Sequence, residues 1–167
     1  MSRGFVKEDD VEHAGTDLPE RPLSALPNYV TPTGLSLLEN EAKKLDKARA
    51  LLVNLKDDNA AKQTLAVIDR DLRYLSAKLE SAILVDPAMQ RNEVVLFGTM
   101  VTVEDDAGNA TLFTLVGEDE ADIAANKVSW ASPIAKALIG HKVGENVVWK
   151  RPAGDLHLEI INIKQGT

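Results

Sequence analysis

The chain has 167 residues, of which 44% are hydrophobic, and these values allow one ordinary domain or two small ones with a real core. It contains no cysteine, which excludes a disulfide framework and a thiolate metal site. The net charge of -7 argues against bulk electrostatic binding to a nucleic-acid backbone, and no apolar run approaches the length of a membrane span. We therefore expect a cytoplasmic protein that makes no membrane contact.

Residues 1–28 carry acidic side chains and three of the seven prolines, without any apolar periodicity. This composition is typical of an extended or disordered arm, because it offers too little apolar surface to bury. The sequence therefore predicts a first boundary after residue 28.

Residues 29–86 have the pattern of an antiparallel coiled-coil hairpin. Thr31 can cap a first helix and Pro32 can occupy its first position, while a polar break at 54–59 separates two apolar stripes. Pro87 is expected to stop the second helix. The stripes consist of Leu38, Ala42, Leu45, Leu52 and Leu55 in the first arm and Leu65, Ile68, Leu72, Leu75, Leu79 and Ala82 in the second.

Residues 87–167 predict an α+β domain, in which one short helix packs against an antiparallel sheet. Ser132 as the cap, Pro133 at the first helical position and Gly140 just past the end delimit a two-turn helix. Alternating or β-branched segments, interrupted by turn signals, predict strands at 94–104, 110–116, 128–130, 147–150 and 156–164.

Two acidic clusters are the candidates for chemistry. Either one of Asp57 and Asp58 caps the second helix, or both are delivered to the active site of another macromolecule, where they hold a metal ion. The acidic loop at 118–122 lacks the ligand pattern of a calcium site, which favours a solvated loop or a contact with a basic partner. The chain has no phosphate-binding loop, nucleotide fingerprint or nucleophile elbow.

Several segments resemble the GreA/GreB family of bacterial transcript cleavage factors. The resemblance is strongest at Phe97-Gly98-Thr99, at 116–122 and at 132–140, and Ile68-Asp69-Arg70 with Arg73-Tyr74-Leu75 is similar to the second arm of GreB. It implies an FKBP-like C-terminal domain that docks on bacterial RNA polymerase, and a finger that enters the secondary channel of the polymerase. It also implies an accessory factor that is not itself an enzyme, has no cofactor of its own and makes indirect contact with nascent RNA. We expect a monomer.

The resemblance also implies roles for single residues. Asp58 falls on the glutamate of the family's tip motif, and Asp57 is its neighbour. As tip carboxylates, Asp57 and Asp58 are implied to bind Mg²⁺ at the polymerase active site while the polymerase hydrolyses backtracked RNA. The family pattern there is Asp-x-x-Glu-Asn-Ala, so the position of its first acid falls on Leu55 in this chain. The residues implied to bind the polymerase are Ser132, Pro133, Asp119 and Glu120.

Compared with the family, the finger is shorter by about two heptads in total, or about seven residues per arm, which moves its tip back by roughly 10 Å. Since a displacement of about 1 Å can cost a catalytic group about a hundredfold, two versions of the function stay open. In one, the chain stimulates cleavage of backtracked RNA. In the other, it regulates the polymerase without cleavage, as a relative of the short-fingered regulator Rnk.

Two further readings belong to other functional classes. Prolyl isomerase activity of the FKBP-like domain is disfavoured, because isomerase pockets of that fold are lined with aromatic residues and this domain has few. The other reading is a plain coiled-coil interaction module without a role at the polymerase. The aromatic residues in question are Phe97, Phe113, Trp130 and Trp149.

Overall fold

A computed structural model describes most of the chain, namely residues 18–55, 57–91 and 93–166. The predicted N-terminal arm lies outside the described residues as far as residue 17, and from residue 18 to residue 28 the chain has neither helix nor strand. In the described part, three α-helices and seven β-strands confirm the α+β class. None of the described helices is long and apolar enough to cross a bilayer.

The chain divides into two compact units. The finger unit comprises the residues up to Leu26 together with Leu38–Ser81, and the sheet unit comprises Pro27–Leu37 and the residues from Ala82 onward. Residues 29–37 and 82–86, which the sequence assigned to the hairpin, therefore belong to the sheet unit.

Two long helices form the predicted hairpin, α1 (Pro32–Leu52) and α2 (Asn59–Ser81). The predicted start of α1 is confirmed, because the Oγ1 atom of Thr31 accepts the backbone N–H of Gly34 at 2.9 Å. The predicted end of α2 at Pro87 is wrong. The helix stops at Ser81, since the β-branched and apolar pair that follows, Ile83 and Leu84, enters a strand.

The apolar stripe of α2 is buried at the spacing of a coiled coil. Ala61, Ile68 and Leu75 are seven residues apart and are all buried. Between the arms, the Nε atom of Arg49 donates to Oδ1 of Asp69 at 2.7 Å. In the first arm, Leu38 is buried, and Ala42, Leu45 and Leu52 are half-buried, whereas Leu55 is exposed in the turn and is not part of the stripe.

The sheet unit contains two sheets and one short helix, α3 (Pro133–Leu138). The smaller sheet pairs β1 (Tyr29–Val30) with β2 (Ile83–Leu84) in parallel. The larger sheet has five strands in the order β5-β4-β3-β7-β6, with an irregularity of register between Thr102 and Val103 on β3. Its strands are β3 (Thr99–Asp105), β4 (Ala110–Val116), β5 (Lys127–Ser129), β6 (Asn146–Trp149) and β7 (Leu156–Gln165).

One pairing differs from the predicted antiparallel sheet, because β5 runs parallel to β4. Two parallel neighbouring strands need a connection that carries the chain back to the end of the sheet where the first strand began. The acidic loop after β4 is this connection. This loop includes a short 3₁₀ helix (Ile123–Ala125) and turns into β5 at Asn126, whose φ is 54°.

The core of the sheet unit lies between the large sheet and α3. Leu138 and Ala135 of the helix are fully buried against it. Burial of this kind fixes the helix by the hydrophobic effect, and thereby fixes the position of its N-terminal residues. The sheet contributes Val101, Val103, Phe113, Leu115, Val147, Leu158, Ile160 and Ile163 to this core.

Candidate functional site

Asp58 lies at the N-terminus of α2 and caps it. Its Oδ1 atom accepts the backbone N–H groups of Ala60 at 2.9 Å and Ala61 at 3.3 Å, and its carbonyl oxygen accepts the N–H of Lys62 at 3.0 Å. The first N–H groups of a helix have no partner within the helix, and a carboxylate there also interacts favourably with the helix dipole. The prediction that one of the two tip carboxylates caps the second helix is confirmed for Asp58.

Asp57 precedes this cap in the exposed turn between the two arms. The turn is closed by the N–H of Leu55, which donates to the carbonyl of Leu52 at 3.0 Å, and by the N–H of Asp58, which donates to the carbonyl of Leu55 at 3.1 Å. Nowhere in the described residues do three or more His, Asp or Glu side chains form a group that could hold a metal ion. Mg²⁺ demands octahedral coordination, so a metal at this tip needs further ligands from a partner or from water.

The predicted start of the short helix is confirmed. Ser132 is the cap of α3, since its Oγ atom accepts the N–H of Ala135 at 3.3 Å and its carbonyl accepts the N–H of Lys136 at 2.9 Å. Pro133 occupies the first helical position, where a backbone N–H would have no partner within the helix, so the lack of this donor does not destabilise α3. Its side chain is exposed.

An apolar groove with a volume of ≈ 800 Å³ lies beside this N-terminus, within the sheet unit. The rings of Phe113 and Trp149 meet in it edge to face, with centroids 5.9 Å apart, and the Cζ atom of Arg151 lies 5.3 Å from the ring centre of Trp149. Ile123 also lines the groove, and 89% of its side chain and backbone surface is exposed. The volume and the apolar, aromatic lining are typical of a binding site.

The two predicted contact residues of the acidic loop, Asp119 and Glu120, differ in exposure. Glu120 is only 9% exposed, its Oε1 atom accepts the hydroxyl of Thr31 at 2.5 Å, and its Oε2 atom lies 3.8 Å from Nζ of Lys127. A side chain at Gly34 would meet this carboxylate, because an added Cβ would lie 2.7 Å from Oε1. Glu120 therefore anchors the N-terminus of α1. Asp119 is exposed. A role of either residue in docking stays a prediction.

Sequence reasoning missed Ile123, Trp149 and Arg151 as residues of one site. They lie in different segments of the chain, and only the parallel pairing of β5 with β4 and the position of α3 bring them to the same groove. The available signal was that Ile123 is a large apolar side chain within an otherwise acidic loop.

Comparison with known proteins gives a consistent picture. Residues 90–165 match the model of the family described as "Transcription elongation factor, GreA/GreB, C-term". The chain is 34% identical over 152 residues to transcription elongation factor GreB of Neisseria meningitidis serogroup B. This match covers 82% of this chain and 93% of that relative. It is 43% identical over 107 residues to transcription elongation factor GreA of Pelobacter propionicus, covering 64% of this chain and 68% of that relative.

Two solved structures were also matched. The GreA factor homolog 1 of Thermus thermophilus is 25% identical with a TM-score of 0.40, and the match covers 83% of this chain and 99% of that one. The transcription elongation factor GreA/GreB from Nitrosomonas europaea is 24% identical with a TM-score of 0.41, and the match covers 81% of this chain and 98% of that one.

Proposed function

Because the chain belongs to the GreA/GreB family of transcription elongation factors, we propose that it regulates elongation by binding bacterial RNA polymerase. The sheet unit makes the docking contact, and the helical hairpin enters the secondary channel of the polymerase. The observation that carries this proposal is the apolar groove beside Ser132 and Pro133, since an open apolar surface lies next to the residue pair that the resemblance singles out.

The composition of the groove supports a protein partner. Aromatic residues and arginine are enriched at the centres of protein interfaces, where they contribute most of the binding energy. Phe113, Trp149 and Arg151 supply these residue types here, and Ile123 is an apolar side chain that only a partner would cover. We expect the partner to insert an apolar side chain between these residues.

The substitution Ile123→Asp tests the docking surface directly. A charge in the groove removes an apolar contact and leaves a desolvated carboxylate, so binding to core polymerase should weaken by about tenfold or more. Met89→Asp is the matched control, because Met89 is also in the sheet unit, is 85% exposed and does not line the groove. Equal affinity of wild type and Ile123→Asp, measured by titration with labelled polymerase, would overturn this docking surface.

The geometry of the tip supports regulation without strong cleavage. One of its two carboxylates, that of Asp58, already accepts two N–H groups of α2, and Leu55 stands where the family has its first acid. The tip then offers a metal ion the carboxylate of Asp57 and the Oδ2 atom of Asp58, without the first acid of the family pattern. We propose that the chain acts at the polymerase chiefly by occupying the channel.

A stalled, backtracked polymerase complex separates the two versions of the function. We expect the protein to bind it and to shorten the RNA little or not at all, with Asp57→Asn behaving as wild type. Strong shortening that Asp57→Asn abolishes would instead identify a cleavage factor. Failure to bind the complex would refute the proposed function in both versions.

The groove gives little support to the prolyl isomerase alternative. Of the four aromatic residues in question, only Phe113 and Trp149 line it. Phe97 and Trp130 pack instead around Tyr29, with ring centroids 5.9 Å and 5.1 Å from its ring. An isomerisation assay with a proline peptide is expected to give the uncatalysed rate.

A further inference from the structure

The groove beside Ser132 carries positive charge as well as apolar surface. Three cationic side chains, Lys127, Lys150 and Arg151, are among the residues that line it, and none of the described lining residues is acidic. The chain as a whole has a net charge of -7. An acidic protein that gathers cations around an apolar groove favours a partner of negative charge at that place.

The three cations differ in how the protein uses them. The Nζ atom of Lys150 lies 3.6 Å from Oδ2 of Asp155, and the Nζ atom of Lys127 lies 3.8 Å from Oε2 of Glu120. None of the ion pairs between described residues involves Arg151. Arg151 is therefore the cation of the groove whose charge is left for a partner to neutralise.

Arg151 is already held in one orientation. It is half-buried at the start of the turn between β6 and β7, where its Nε atom donates to the carbonyl oxygen of Gly154 at 3.2 Å and its guanidinium lies beside the ring of Trp149. This hydrogen bond uses Nε, so the two Nη atoms keep the N–H groups that form a two-point fork with a carboxylate. Because the side chain is fixed before binding, little conformational entropy is lost when a carboxylate arrives.

We propose that the groove recognises an acidic amphipathic segment of the polymerase, whose apolar side chain enters between Ile123 and Trp149 and whose Asp or Glu side chain binds Arg151. All three residues line the same groove, so one short segment can reach both parts of it. This inference rests on the proposed function and deepens it. The apolar lining alone would accept many apolar side chains, whereas a segment without an acid would leave the guanidinium unpaired and partly desolvated.

Substitutions at Arg151 test the charged part of this recognition. Arg151→Gln should weaken binding to core polymerase by about tenfold or more, because charge-assisted hydrogen bonds to a half-buried group are lost. Arg151→Lys keeps the charge without the planar fork and should recover only part of the affinity. Arg91→Gln is the matched control, since Arg91 is an exposed arginine of the sheet unit that does not line the groove.

The salt dependence of binding separates recognition of charge from packing. Titration of labelled polymerase at several salt concentrations should show that the affinity of wild type falls more steeply with salt than that of Arg151→Gln, because the variant has one ion pair fewer to screen. Equal affinities and equal salt dependences of wild type and Arg151→Gln would overturn the inference. So would an equal loss of affinity in Arg91→Gln.

A photo-cross-linker in the groove identifies the segment that binds there. Ala153 lines the groove and is exposed, and the chain has no cysteine, so Ala153→Cys can be labelled selectively with a benzophenone. The cross-linked polymerase segment, identified by mass spectrometry, should hold an Asp or Glu within about one helical turn of the cross-link. A segment without such an acid would overturn the inference and leave the proposed function standing, whereas failure of wild type to bind the polymerase would refute both.

Discussion

Asp58→Ala and Asp58→Asn are predicted to have different effects on stability, because only the first removes the helix cap. Asp58 accepts two backbone N–H groups at the start of α2, from Ala60 at 2.9 Å and from Ala61 at 3.3 Å. Alanine leaves both groups to water, whereas the side-chain oxygen of asparagine can accept them as the carboxylate does.

The expected magnitudes follow from these contacts. Loss of a cap costs typically about 1 kcal/mol, with a range of roughly 0.5 to 2 kcal/mol. Asparagine keeps the cap and loses only the attraction between the carboxylate and the helix dipole, about 0.5 kcal/mol. For a chain of this size about 1 kcal/mol corresponds to about 3 °C in Tm, so Asp58→Ala should melt about 3 °C below wild type, and Asp58→Asn less than 2 °C below it.

Thermal unfolding followed by far-ultraviolet circular dichroism measures the difference, since the signal is dominated by the helices. Because Asp58→Asn removes the charge while it keeps the fold, the same variant also isolates any role of this carboxylate in RNA cleavage, where we expect no change. Equal destabilisation by the two substitutions would refute the capping argument. So would an alanine variant that melts at the temperature of wild type.

Two further predictions concern backbone approach and pH. Gly117→Ala should lower the free energy of unfolding by up to about 3 kcal/mol, because an added Cβ would clash with the carbonyl oxygen of Tyr29. Gly108→Ala should lower it by about 1 kcal/mol, because nothing lies within 4 Å of the added Cβ and only the φ of +84° is unfavourable for alanine. Urea denaturation measures both values, and the opposite order would contradict this reasoning. The hydrogen bond from Arg73 lowers the pKa of Glu20 below its ordinary value of 4.5, so the contact between Glu20 and Arg73 is present above that value and is lost as the pH falls through the lowered pKa. A nitroxide attached at Leu23→Cys, an exposed position three residues after Glu20 in a chain without cysteine, should therefore become more mobile in acid, and Glu20→Gln should remove this pH dependence.

Local signals predicted the elements of the fold well. The cap at Thr31, the polar break before α2, the turn between β3 and β4 and the bounded helix after Ser132 all depend on residues close together in the chain. Such features follow from hydrogen bonds and φ preferences that operate within a few residues. The predictions were wrong where a segment distant in the chain determines the local structure. The helix α2 was predicted to end at Pro87, but it ends at Ser81, because the residues that follow pair with β1.

The candidate site was predicted less completely than the fold. Ser132 and Pro133 were identified, and the structure confirms their positions on α3. The burial of Glu120 against Thr31 was not predicted, because nothing in the neighbours of Glu120 in the chain indicated it. The contact between Glu20 and Arg73 was missed for the same reason, since the two residues are far apart in the chain and each alone resembles any solvated charge.

The sequence by itself determined the two apolar stripes, the caps and the alternation of the strands, and with them a helical hairpin joined to an α+β domain. It also determined the motifs that identify the family. Only the tertiary structure decided which charges are used internally and which apolar residues share a surface. The physical reason is that periodicity and capping are properties of neighbouring residues, whereas burial and ion pairing depend on segments that meet only after the chain has folded.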